Sequence, residues 1–166
     1  MELDDYKTLK LDATYRPVAV IPATEALVSS MMGKAVIVET HDRTIHSATL
    51  GFKLPAVIAT KRVTKNPKQF ACNKKFVFIR DTGCCQYCGE YTEYEASTLD
   101  HVIPRSQGGS SEWDNIVLSC YPCNQKKGPR PPHKANMDLI RKPRPLTYAQ
   151  YLYSSNAQSD AWKDYF

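Results

Sequence analysis

Two pairs of cysteines are spaced to hold a metal ion. Cys85-x2-Cys88 is followed, 32 positions on, by Cys120-x2-Cys123. A Cys-x-x-Cys knuckle lets two thiolates approach one ion from a tight turn, and two knuckles complete the tetrahedron that structural zinc prefers. Gly89, just after the first pair, suits such a turn. A redox pair or free thiols are the competing uses of these residues. Cys84 competes with Cys85 but has the poorer spacing to Cys88, and Cys72 has no nearby partner and reads as a small apolar residue. Between and just after the knuckles stand Asp100-His101, Asn115 and Asn124. An imidazole exchanges its proton near neutral pH, so His101 suits a general base that activates water. Asp100 points to the opposite face of the same strand. With the neutral oxygen of Asn124 it makes a hard-oxygen donor pair that suits Mg²⁺ or Mn²⁺ better than zinc.

These residues need a scaffold. Thr98 to His101 reads as a strand, Gly108-Gly109-Ser110-Ser111 as a loop, Ile116 to Ser119 as a second strand, and Asn124 to Lys127 as the opening of a helix. Upstream, Asn73 is placed to cap a short helix over Lys74 to Arg80, which turns Phe76, Val77 and Ile79 toward a core. Downstream, a short helix is expected over Lys134 to Ile140 and a last one over Thr147 to Tyr153, capped by Thr147. The aromatic end Ala161-Trp162-Lys163-Asp164-Tyr165-Phe166 is expected to dock on the domain or on a partner chain.

The first 70 residues carry apolar runs at Val18–Ile21, Ala35–Val38 and Pro55–Ala59. Thr24 to Met32 reads as a helix with Thr24 as N-cap and Gly33 as its stop. No catalytic cluster stands out there, and His41 and His46 are isolated. The expected organisation is an α+β chain in three parts: a small N-terminal α/β region over 1–70, a metal-braced unit over 71–145, and a C-terminal helix with an aromatic tail over 146–166.

Composition bounds the possible roles. A chain of 166 residues with 42% hydrophobic and 23% charged residues is ordinary for a small globular protein. No apolar run approaches the roughly 18 residues needed to span a bilayer. The acidic, polar stretch Met1 to Lys10 has no signal-peptide core, so a cytoplasmic protein is expected, in which thiols stay reduced. The net charge of +5 is concentrated: residues 61–145 carry 15 Lys and Arg against 8 Asp and Glu. Such an excess suits a polyanion. Lys61, Arg62, Lys65 and Lys68, with Pro67 among them, form a basic linker, and Arg105, Lys126, Lys127 and Arg130 are candidate phosphate contacts; a solvated surface accounts for any one of them equally well.

The order Asp-His, then Asn, then Asn after Cys-x-x-Cys resembles the HNH endonuclease family, in its four-cysteine zinc-binding branch of bacterial and phage type. The resemblance is strongest over residues 73–130. Tyr15-Arg16-Pro17 and Met32-Gly33-Lys34-Ala35 also look like the N-terminal part of a bacterial and phage subgroup. The resemblance implies a ββα-metal nuclease unit that hydrolyses phosphodiester bonds in DNA and leaves a 3′-hydroxyl and a 5′-phosphate. It implies catalytic roles for His101, Asp100, Asn115 and Asn124, a catalytic Mg²⁺ or Mn²⁺ on Asp100 and Asn124, and structural zinc on Cys85, Cys88, Cys120 and Cys123. Asn124 replaces the literal third-position His, as in similar members, and His133 lies too far along in a Pro-rich turn to supply it.

Three functions are set against one another. The first is a metal-dependent DNA endonuclease that nicks as a monomer and needs two sites or two events for a double-strand break; a homodimer is one route. The second is a catalytically silent, zinc-stabilised nucleic-acid-binding module. The third is a structural zinc protein docked through its aromatic tail. Retention of Asp100, His101, Asn115 and Asn124 together favours the first, because mere binding requires none of them.

Overall fold

A computed structural model describes residues 5–64, 69–156 and 159–166. The linker residues Lys65, Pro67 and Lys68, and the start of the polar N-terminal stretch, lie outside the described residues. The chain forms two compact units: residues 1–68 with 148–166, and residues 69–147. Among the described residues, no helix is long and apolar enough to cross a membrane.

The first unit is a four-stranded sheet in the order β2-β1-β4-β3, with β1 Lys7–Leu11, β2 Pro17–Pro22, β3 Ala35–His46 and β4 Gly51–Thr60. β1 runs parallel to β4, and the other pairings are antiparallel. β1 lies in the stretch read from sequence only as polar; Thr8, Leu9 and Leu11 are buried while Lys7 is exposed. The polar half of β3, from Glu39 onward, extends the strand because it pairs with the start of β4 at the sheet edge. Helix α1 spans Ala23–Met31 and follows β2 directly. Pro22 rather than Thr24 is its N-cap, and no side chain caps it. The Ala23 N–H is instead taken by the Tyr6 carbonyl of β1's approach. Gly33, at φ 69°, ends the helix as expected.

Helix α4, Tyr148–Ser155, and a final 3₁₀ segment, Asp160–Tyr165, belong to this same unit. Trp162 is 1% exposed and packs among Leu9, Leu11, Ala56, Val57 and Ala59. Its indole N–H donates to the Ala56 carbonyl at 2.8 Å. An indole ring buries on the order of 200 Å², so the aromatic end is a core element of the sheet.

The second unit is built on an antiparallel hairpin, β5 Ser97–His101 and β6 Ile116–Cys120. Helix α2, Lys74–Arg80, is capped as expected by the Asn73 side chain, which accepts from the Phe76 N–H. Its Val77 packs against Ile116 and Leu118, with Leu99, Phe78, Trp113 and Cys72 around them. Burial raises the Cys72 thiol above its ordinary value, in keeping with an apolar role. Arg80 and Asp81 form a buried ion pair at 2.8 Å. The guanidinium also donates to the carbonyls of Trp113, Ile116 and Arg144, and Asp81 accepts from the Leu118 N–H. Two buried charges so fully bonded fasten α2 to β6, and breaking such a pair typically costs about 3–5 kcal/mol. Helix α3, Tyr121–Lys127, starts with Pro122 in its first turn and ends at Gly128. The helix expected over Lys134–Ile140 is a 3₁₀ turn at Pro132–Ala135, halted when Asn136 takes a left-handed conformation.

Candidate active site

The two knuckles meet. The sulfurs of Cys85, Cys88, Cys120 and Cys123 all lie within 4.8 Å of one another, and those of Cys88 and Cys120 are 4.0 Å apart. A Zn–S distance of about 2.3 Å places tetrahedral sulfurs about 3.8 Å apart, so the set fits a single ion. Cys84 stands outside it, with its sulfur turned to the Thr82 carbonyl. Burial opposes ionisation of Cys85, but N–H groups of Cys120, Cys88 and Tyr87 outweigh it and draw the thiol down to about 7. Cys123 is pushed the other way, by burial first and by the neighbouring sulfurs after it. Four sulfurs held this close together make a centre that a cation would complete.

The hairpin register places Asp100 opposite Val117 and His101 opposite Ile116. Alternation along β5 then sends the two side chains to opposite faces, with Thr98 on the face of Asp100. Asn124 of α3 donates its amide N–H to Thr98 Oγ1 at 2.9 Å. Three residues on, and so on the same side of the helix, Lys127 reaches Asp100. Its Nζ is 3.0 Å from Asp100 Oδ1 and 2.7 Å from the His101 carbonyl oxygen. The other carboxylate oxygen, Oδ2, accepts from the Tyr87 hydroxyl at 2.5 Å. Burial, and then its bond to the carboxylate, raises the Tyr87 phenol far above its ordinary value, so it stays a donor.

His101 is half-buried at the end of β5. Its Nε2 lies 3.0 Å from Ser111 Oγ, and its Nδ1 meets no hydrogen-bond partner among the described residues. Asn115, 5% exposed, holds the loop between the strands. Its Oδ1 accepts from the Ile103 N–H, and its Nδ2 donates to the carbonyls of Ile103 and Ser110. Gly109 closes the same loop so tightly that an added Cβ would stand 1.8 Å from the Ile103 oxygen.

Four cations were read from the sequence as phosphate contacts, and the structure divides them. Arg105 and Lys126 are exposed. Lys127 is not a surface cation: its side chain is 1% exposed and committed to Asp100. Arg130 turns back on α3, where its guanidinium donates to the Lys126 and Lys127 carbonyls and caps the helix C-terminus. Tyr87, Ser111 and the burial of Lys127 were missed. The i, i+3 spacing of Asn124 and Lys127 was the available signal for the last; no local pattern marks the other two.

A short antiparallel hairpin and a following helix, closed by a four-thiol cluster, define a ββα-metal unit in an α+β chain. The family model described as HNH endonuclease matches residues 85–130, and the model described as HNH endonuclease-associated, N-terminal domain matches residues 8–68. The chain thus carries an HNH endonuclease domain behind an associated N-terminal domain. It is 42% identical over 48 residues to the CRISPR-associated endonuclease Cas9 of Corynebacterium diphtheriae, covering 28% of this chain and 4% of that protein. Against the Cas9 of Actinomyces naeslundii it is 39% identical over 51 residues, 30% of this chain and 5% of that protein. The matches therefore span only a small part of these relatives. The crystal structure of the Type II-C Cas9 enzyme from Actinomyces naeslundii aligns with 43% of this chain and 8% of its own, at 23% identity and a TM-score of 0.32.

Proposed function

We propose that the chain is a metal-dependent endonuclease that hydrolyses phosphodiester bonds in DNA, with zinc on its four cysteines as a structural ion. The carrying observation is His101, fixed at the end of β5 with Nε2 engaged by Ser111 and Nδ1 left open. When the Ser111 hydroxyl accepts from Nε2–H, the lone pair sits on Nδ1, where it can take a proton from water. Asn115 holds the loop that carries Ser110 and Ser111 and so keeps that partner in place. Arg105, Lys126 and Arg130 are the exposed cations among the candidates for the phosphate backbone, Arg130 while also bonded to the end of α3.

Asp100 and Asn124 face one β5–α3 seam and offer a carboxylate and an amide oxygen, a donor set suited to Mg²⁺ or Mn²⁺. The Lys127 ammonium already places positive charge at that carboxylate, which marks the seam as a cation position. A divalent ion there would supply charge neutralisation of the scissile phosphate and of the departing oxygen.

One observation favours a second reading, a catalytically silent DNA-binding module: both oxygens of Asp100 are engaged within the chain. Incubation with supercoiled plasmid, with and without Mg²⁺ or Mn²⁺, separates the two. The nuclease reading expects metal-dependent nicking that disappears in a His101→Ala variant whose zinc content is unchanged. Plasmid bound but intact under every condition supports the silent module.

A further inference from the structure

We propose that the Lys127 ammonium is a built-in counter-cation for Asp100 that a divalent ion must displace, so that ion uptake is coupled to release of the Lys127 side chain. The inference rests on the reading of Asp100 and Asn124 as the ion's ligands. Lys127 is the most enclosed cation of the unit, 1% exposed beside a carboxylate that is 7% exposed. A carboxylate so enclosed is strongly unfavourable without an opposite charge. The ammonium supplies that charge at 3.0 Å and is anchored from its other side by the His101 carbonyl at 2.7 Å. It therefore ties the strand that carries Asp100 to the helix that also carries Asn124, and it occupies the carboxylate oxygen that an ion would need.

Two cations cannot share one enclosed carboxylate cheaply, because like charges a few ångströms apart repel strongly where solvent screens them poorly. The Tyr87 hydroxyl makes no such conflict. It is neutral, holds the other oxygen, and can keep that bond while Oδ1 changes partner. Lys127 is thus the group that must move. Its position also sets a threshold: the ion has to outbid a bonded ammonium before it is bound.

The test uses the full chain with its zinc in place and Mn²⁺ alone as the probe, with free Mn²⁺ counted by electron paramagnetic resonance. Lys127→Met is expected to bind one Mn²⁺ at least about tenfold more tightly than the natural chain, since it removes the competing charge. Asp100→Asn is expected to abolish that binding. Equal or weaker affinity in Lys127→Met overturns the proposal. If that variant fails to fold, the natural chain decides. The Lys127 ¹⁵Nζ resonance, slow to exchange while buried, is expected to shift or vanish in step with Mg²⁺ occupancy. A resonance unchanged at full occupancy overturns the displacement and leaves the ligand reading intact. An absence of divalent-ion binding in both proteins overturns the two together.

Discussion

Tyr87 donates its hydroxyl to Asp100 Oδ2, and Tyr87 lies inside the first cysteine knuckle. The four-cysteine cluster and the carboxylate of the candidate active site are therefore joined by a single side chain. Whatever fixes the knuckle also fixes Asp100, which links a bracing ion to the aim of the residue proposed to bind the catalytic one.

Removing that hydroxyl is the direct check. Tyr87→Phe is expected to keep its zinc and to lose about 1–3 kcal/mol of stability, because a charged acceptor is left with one partner fewer. Urea titration of both proteins at pH 7 measures the difference. An unchanged midpoint would show that the bond contributes nothing to the fold.

Chelation should act on one unit alone. The two tryptophans divide between the units, Trp113 in the second and Trp162 in the first. The Trp113 indole donates to the Phe70 carbonyl at 3.0 Å. Removing the ion from four thiolates removes folding free energy from the small hairpin unit. The Trp113 indole N–H resonance should collapse toward its unfolded position while that of Trp162 stays. Joint loss of both would mean that the units unfold together.

Trp162→Ala makes the converse prediction. It empties a site at the centre of the four-stranded sheet, which typically costs about 3–5 kcal/mol. The first unit should then melt well below its natural temperature, whereas zinc content and the Trp113 resonance should not change. A melting curve that matches the natural protein would refute the docking of the aromatic end.

Acid should weaken the first unit through Asp12. Its side chain is 1% exposed and accepts from the Thr14 hydroxyl and N–H at 2.6 and 2.7 Å, and from the Thr64 N–H at 3.2 Å. These donors, the Thr14 hydroxyl foremost, hold the carboxyl well below its ordinary 3.8 against the opposing effect of burial. A depressed folded value stabilises the fold fully above the unfolded value, and that stabilisation is lost as pH falls through the folded one. Stability tracked by the Trp162 resonance should therefore decline below 3.8. Asp12→Asn should be less stable at pH 7 and show a flatter acid limb. Parallel acid limbs would assign the loss to other groups.

Gly109→Ala probes the loop that Asn115 holds. The new Cβ would have to push the Ile103 carbonyl and the Asn115 amide aside, at 1.8 and 2.8 Å. Overpacking against backbone costs about 1–3 kcal/mol or more. Nicking should fall with stability, because Ser111 of the same loop holds His101. A variant as active and as stable as the natural chain would show that the loop yields freely.

Local pattern made much of the second unit legible. The cysteine spacing, the cap at Asn73 and the alternation that separates Asp100 from His101 are each settled within a few residues. What pairs across the fold was not legible. The i, i+3 spacing from Asn124 is all that separates position 127 from Lys126 in the sequence, and it gains meaning only when the helix is seen to turn one toward Asp100 and the other to solvent. Arg130 reads as a free cation until the end of α3 offers it carbonyls. β1 was missed because two lysines in five residues mask the i, i+2 pair Leu9 and Leu11, which becomes decisive only when β4 lies beside it.

The position of Trp162 has a consequence for synthesis. A ribosome delivers the ring that seals the apolar face of β1 and β4 about a hundred residues after β4 itself, once residues 69–147 have been made. The unit that contains β1 to β4 is therefore completed only after residues 69–147 have been made. Its sheet must wait without the Trp162 ring over Leu9, Leu11 and Val57, within reach of chaperones and of other nascent chains, until that ring leaves the tunnel.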